Sequence, residues 1–249
     1  MFGTLALNNS DLLILILICF FAGLIRGFSG FGLSAFVMSL ALTIIPPIEL
    51  IPVCWWMEFV ASVFMIRNGW KDSDKKISII LWLGAVFGLP IGIALTTILD
   101  FQTSKIVALV LILILALILL RNFKIQFLST SVGTISSGVF AGVATGLASI
   151  GGMIVAIYVL ASQNSARRVR ASIVLYIFLN SVTTFIFLIL FDVMDHKAFV
   201  RGVLLAVPSS IGVVLGSILF MQKLEKYYRP FSLGLLISFS LVGLIRLTG

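Results

Sequence analysis

The residues able to do chemistry in this sequence are few, and most of them lie inside apolar runs. Arg26 opens the stretch Arg26-Gly-Phe-Ser-Gly-Phe-Gly32, which interrupts apolar sequence from Leu12 to Ile45. A second break, Ser149-Ile-Gly-Gly152, interrupts another apolar stretch, and Glu58 and Asn180 stand in the middle of two more. Each glycine in a helix interior costs about 1 kcal/mol relative to Ala. An arginine at a bilayer centre costs about 2.5–3.5 kcal/mol on insertion scales. A membrane protein tolerates such backbone mainly where it is buried in protein or lines a cavity.

The chemistry this pattern suits is anion binding. A helix that restarts after a break presents unpaired N–H groups and the positive end of its dipole. Such an end holds an anion without needing a cationic side chain. The first break offers Ser29, Gly30, Phe31, Gly32 and Ser34; the second offers Ser149, Ile150, Gly151 and Gly152. Arg26 adds a charge on one side only, because Thr145 holds the matching place in the other stretch. Asn180 either donates to a bound anion or bonds a neighbouring helix. Glu58 is a proton carrier, the partner of Arg26, or a buried neutral acid. Trp55 and Trp56 line a cavity or anchor at an interface. On this reading Arg26→Ala removes anion binding while leaving the fold largely intact.

Other chemistry is poorly served. The spans contain no paired acids, Ser/His pair or His/Cys ligand cluster, so an enzyme is not expected, and neither is a cofactor or a bound metal. His196 with Asp192 and Asp195 reads as a solvated loop. Cys19 and Cys54 both fall in apolar spans, as small hydrophobes do. No nucleotide-binding motif is present, which excludes ATP-driven transport by this chain alone. The chain has 249 residues, 61% hydrophobic and 10% charged, with a mean hydropathy of +1.23. Soluble domains carry about 25% charged residues, so this is an integral membrane protein. Apolar runs of ~18–25 residues indicate helices, whereas a barrel alternates over ~10 residues. The net charge of +8 is scattered through short loops rather than gathered in a nucleic-acid groove. No basic segment precedes the first apolar run, so a cleaved leader is not expected.

The elements that must position the breaks repeat. Phe21-Ala-Gly23 followed by Gly27 returns 119 positions later as Phe140-Ala-Gly142 followed by Gly146, and Gly88-x-x-x-Gly92 is echoed by Gly212-x-x-x-Gly216. The chain therefore divides into a first transmembrane repeat, 1–124, and a second, 125–249, within one membrane domain. Each repeat is a broken stretch followed by three plain spans: 48–66, 77–99 and 106–120, then 171–191, 199–221 and 231–247. Gly23, Gly84, Gly88, Gly142, Gly212 and Gly216 read as close-packing positions. The nearly pure aliphatic run 106–120 reads as lipid-facing.

Charge distinguishes parallel from inverted repeats. If each broken stretch crosses once, the basic residues divide 9 inside to 7 outside; if each is a hairpin returning to its own side, they divide 12 to 4. The positive-inside rule favours hairpins. The stretch 134–161 has 28 residues, ~42 Å of helix, too short for two crossings of a ~30 Å core. The expected fold is an all-α polytopic membrane protein of two inverted four-segment repeats. Each repeat is a glycine-broken re-entrant hairpin plus three transmembrane helices, with the tips near the midplane. The first stretch is longer, and crossing twice stays open for it.

With both breaks and the repeat in view, the sequence resembles the TauE/SafE (TSUP) family of sulfite exporters. Phe21-Ala-Gly23 with Gly27-Phe-Ser-Gly-Phe-Gly32 carries the resemblance, as does Phe140-Ala-Gly142 with Gly146 and Ser149-Ile-Gly-Gly152. Phe28 and Phe31 depart from the family's more glycine-rich run. The resemblance implies a secondary transporter in the bacterial inner membrane exporting sulfite or small organosulfonates, with Glu58 the candidate for coupling to protons. Its partners would be a small anion, the lipid bilayer and, in a homo-oligomer, further copies of the chain, with no nucleic acid. A passive anion channel and, further off, an intramembrane enzyme or assembly factor are the alternatives.

Overall fold

The computed structural model describes residues 8–42, 44–121, 130–161 and 165–220, together with 234, 237, 238, 241 and 245. The span expected over 231–247, the basic loop 223–229 and Lys124 lie largely or wholly outside these residues. Among the described residues the chain forms nine α-helices and no strand. They are α1 (Asn9–Ser29), α2 (Leu33–Ala41), α3 (Pro47–Asp72), α4 (Lys75–Ile98), α5 (Phe101–Arg121), α6 (Ser131–Ala148), α7 (Gly151–Ala161), α8 (Ala166–Leu190) and α9 (His196–Phe220). Six of them, α1, α3, α4, α5, α8 and α9, contain windows long and apolar enough to cross a membrane.

The glycines set the closest packing. Gly84, Gly88 and Gly92 on α4 lie against backbone of α6 at Ile135, Val139 and Val143, and Gly138, Gly142 and Gly146 return the contact from α6. Gly23 and Gly27 on α1 meet Ser209 and Val213 on α9 in the same way, as Gly212 and Gly216 meet Phe20 and Leu24. Residue numbers rise together along both pairs, so α4 runs parallel to α6 and α1 parallel to α9. A methyl group at any of these positions would collide with a carbonyl or amide of the facing helix. Small residues let membrane helices approach to backbone contact and gain dispersion energy there, since lipid removes the hydrophobic drive between helices.

Outward faces are apolar. On α4, Ile79, Leu83, Phe87, Ile91, Leu95 and Ile98 form one exposed stripe at helical spacing, while Leu81, Ala85, Leu89 and Ile93 are buried. On α5, Ile106, Val110, Ile114 and Leu117 are exposed and Ala108, Leu109, Ile112 and Ala116 are buried, so this helix is lipid-facing on one side only.

At one pole, Arg167 at the start of α8 pairs with Asp72 at the end of α3 (2.8 Å), and Asp74 N–H donates to Ser172 Oγ (2.9 Å). At the other pole, Arg201 and Lys197 at the start of α9 reach Glu49 at the start of α3 (2.5 and 3.9 Å).

Several boundaries differ from expectation. α3 continues past Ile66 to Asp72, so most of the expected basic loop 67–76 is helix. The first break is confined to Gly30–Gly32, because Arg26 to Ser29 stay helical in α1. At 21 residues, or ~31 Å at 1.5 Å per residue, α1 is itself long enough to span the core, and is not a short arm ending at the midplane. Its glycines face α9 and are stabilised by packing, which offsets their poor helix propensity. In the second stretch the chain folds back. Gly151 abuts the backbone of Ala141, and Thr134 Oγ1 lies 2.7 Å from Tyr158 Oη, so α7 returns along α6.

Candidate functional site

The first turn is built on two glycines in the left-handed region. Gly30 (φ 84°) ends α1 and Gly32 (φ 89°) precedes α2. A side chain at either position would be strained, since only Gly visits this region without cost. Gly30 N–H donates to Arg26 O at 2.9 Å. Ser29 Oγ lies within bonding distance of Ile25 O (2.8 Å) and Phe31 O (2.6 Å) and accepts from Phe31 N–H (3.2 Å). Ser29 is therefore occupied with the shape of its own turn.

Arg26 is fully buried. Its Nε donates to Glu58 Oε2 (2.8 Å), Nη2 to Ser62 Oγ (3.1 Å) and Nη1 to Gly30 O. Glu58 Oε1 accepts from Ser34 Oγ (3.0 Å) and more distantly from Ser34 N–H (3.4 Å), in the first turn of α2. Glu58 is thus the ion-pair partner of Arg26. The α2 N-terminus thus already holds an anion, and that anion is a side chain of the protein. Burying an ion pair costs several kcal/mol per ion and is sustained only when the remaining donors and acceptors are filled; here the guanidinium reaches three partners.

The second turn uses Ser149, in the left-handed region at φ 55°, where the first has Gly30. Ser149 N–H bonds Thr145 O at 2.7 Å and Ile150 N–H bonds Ala144 O at 3.2 Å. Gly151 and Gly152 start α7. A side chain on Gly151 would strike Thr145 Oγ1 and Ala141 O, and one on Gly152 would meet Ile177 Cδ1 at 2.9 Å and Phe31 Cβ at 4.0 Å. The two turns therefore lie close together, with room for a methyl group between Gly152 and Phe31 Cβ. Ile150 is buried in the core.

Beside the two turns lies a narrow cavity of about 30 Å³, lined by Trp55, Glu58, Thr145, Ser149, Gly152, Tyr176, Ile177, Asn180, Ser181 and Thr184. Trp55 is buried against it, donating to Ser181 O (2.7 Å) and stacked between Phe59 and Phe185, far from the interfacial role usual for Trp. Of the residues singled out from sequence, Trp55, Glu58, Thr145, Ser149, Gly152 and Asn180 line this cavity. Arg26 and Ser34 stand behind Glu58, and Phe31 behind Gly152.

The halves match residue for residue around this point. Arg26, Glu58 and Ser62 form one cluster. Thr145, Asn180 and Thr184 form the other, with Asn180 Nδ2 3.5 Å from Thr145 Oγ1 and 3.4 Å from Thr184 Oγ1. An ion pair on one side is a neutral amide and two hydroxyls on the other. Ser62, Thr184 and Tyr176 were missed by sequence reasoning. The 122-residue interval from Glu58 to Asn180, repeated from Ser62 to Thr184, is the signal that would have found the first two.

Arg170, near the start of α8, lies against the first turn. Its Nη2 donates to Gly27 O (2.5 Å), and its side chain packs on Gly30. It also lines a larger cavity of about 700 Å³ with Asp72, Arg167, Ser217 and apolar residues including Phe64 and Val214, at the pole of the Arg167–Asp72 pair.

Apolar spanning helices wrapped around buried polar turns define a multi-pass α-helical membrane protein. The chain matches the family model Sulfite exporter TauE/SafE over residues 15–243 and belongs to that family, which comprises membrane transporters, not enzymes. A small anion as substrate and a lipid surround follow from that membership. No curated protein and no solved structure matches the chain.

Proposed function

We propose that the protein is a secondary transporter exporting small sulfur-containing anions, such as sulfite or organosulfonates, across the bacterial inner membrane. The observation that carries this reading is the close approach of two glycine turns, Gly152 near Phe31, beside a buried polar cavity. Its repeats would be 1–124 and 125–249, inverted, with 134–161 as a re-entrant hairpin and the first broken stretch, led by the core-length α1, likewise returning to the side it entered from. Two observations support the inversion. The Arg167–Asp72 pair keeps the end of α3 and the start of α8 on one side, whereas parallel repeats would separate them. The packing is also exchanged between halves, α1 along α9 and α6 along α4, as a pseudo-twofold axis requires.

Alternating access follows if the halves move about the point where the turns approach. The cavity of about 700 Å³ opens at the basic pole, which the positive-inside rule makes cytoplasmic; the small one is deeper. Protonation of Glu58 would free Arg26 and the α2 N-terminus, which is how proton coupling would enter. A constriction of this size favours a carrier over an open channel. The test is purified protein in liposomes loaded with labelled sulfite, sulfonates, carboxylates or sulfate. Saturable flux with counterflow for the sulfur anions is expected. Linear, uncoupled flux would make it a channel, and no flux of any small anion would overturn transport of these substrates.

A further inference from the structure

The two helix starts at the turns are not equally free. At α2, Glu58 supplies the anion. At α7, an 11-residue helix, the equivalent position carries Asn180, and no described carboxylate hydrogen-bonds the first amides; Glu58 is spent on Arg26 and Ser34. Two buried polar atoms beside that end lack partners among the described residues, Tyr176 Oη and Asn180 Oδ1. Tyr176 is fully buried and Asn180 is 6% exposed, and both line the narrow cavity. Tyr176 Oη lies close to Thr145 without a hydrogen bond of ordinary geometry to it. Buried polar atoms left without partners cost about 1–3 kcal/mol each, and in native proteins they commonly mark a place that a ligand or water completes.

The orientation of the Asn180 amide is set by its neighbours. Thr145 Oγ1 gives its proton to Ala141 O at 2.8 Å, so it shows Asn180 a lone pair and takes Nδ2–H. Asn180 Oδ1 is then an acceptor without a donor, while the tyrosine hydroxyl and the first amides of α7 are donors. Glu58 lines the same space, its charge offset by Arg26, and no other described titratable side chain lines it besides Tyr176. A dianion would be repelled there more than a monoanion.

Building on the proposed transport of sulfur anions, we infer that the protein holds one anion per chain. It sits at the start of α7 between Tyr176 and Asn180, and the preferred ligand is a small, singly protonated oxyanion of the hydrogensulfite type. Tyr176 Oη and the α7 amides donate to its oxygens, and its own O–H donates to Asn180 Oδ1. Glu58 fills the corresponding seat at α2 and prevents a second anion from binding.

Isothermal titration of the purified protein, at a pH where sulfite is singly protonated, tests this without any assumption about flux. One sulfite per chain is expected, with methanesulfonate, which lacks an O–H, at least tenfold weaker. Two sites per chain would overturn the role given to Glu58, and equal affinity for methanesulfonate would overturn the role given to Asn180 Oδ1. Tyr176→Phe should weaken sulfite at least tenfold with an unchanged elution profile and melting temperature, and unaltered affinity would move the seat elsewhere. Asn180→Asp, which tethers a carboxylate there as Glu58 is tethered in the first half, should abolish binding; retained binding would refute the equivalence. Flux without a single Tyr176-dependent site refutes this seat alone, whereas site-specific binding without flux refutes transport and leaves the seat standing.

Discussion

Removing Arg26 is the perturbation with the clearest energetic consequence. Its guanidinium is fully buried and reaches Glu58, Ser62 and Gly30 O, while Glu58 is only 13% exposed. Taking away one partner of a buried pair costs about 3–5 kcal/mol, most of it the charge left behind. Glu58 keeps its bonds from Ser34 and borders a cavity, so the lower end, about 3 kcal/mol, applies to Arg26→Met. At roughly 2–4 °C per kcal/mol for a chain of this size, the melting temperature should fall by about 6–12 °C. Arg26→Met with Glu58→Leu removes both charges and should recover most of that loss, because well-packed apolar replacement of a buried pair is often close to neutral. The assay is intrinsic-fluorescence melting of wild type, both single variants and the double variant in one detergent, read as a double-mutant cycle. A single variant as stable as wild type, or additive losses in the double, would refute the pairing. Sequence alone leads to the expectation that Arg26→Ala leaves the fold largely intact; the buried pair argues instead for a measurable loss.

Two further outcomes are expected. Gly88→Val places a side chain against the carbonyl of Val139 on α6, and overpacking of this kind costs about 1–3 kcal/mol; low yield and a lowered melting temperature should result, and wild-type behaviour would refute the α4–α6 contact. Asp72→Cys with Arg167→Cys should cross-link under mild oxidation and label from the same side of the membrane, whereas labelling from opposite sides would refute the inverted arrangement. The pair itself is exposed at Arg167 (71%) and worth at most about 1 kcal/mol, so its loss should leave stability nearly unchanged.

The sequence alone determined membrane class, helical architecture and the location of the plain spans within 48–120 and 171–221, because hydropathy and span length are local properties that lipid enforces on each segment separately. It also located the small-residue faces of α4, α6 and α9, since four-residue spacing puts glycines on one side of a helix before any partner is known. Both glycine turns were legible as breaks, because Gly30 and Gly32 adopt backbone angles that other residues avoid. What those turns do depended on contacts across the molecule. Arg26 and Glu58 are 32 residues apart, and sequence left a proton carrier and an ion-pair partner equally open for Glu58; only the packing of α1 against α3 brings the pair together. Tyr176, an ordinary buried aromatic in sequence, stands out because its hydroxyl finds no partner among the described residues where α8 passes the start of α7. Arg26–Gly32 and Ser149–Gly152 looked in sequence like two copies of one anion site. The tertiary structure makes them unlike, since a carboxylate from α3 reaches the first and an amide from α8 reaches the second.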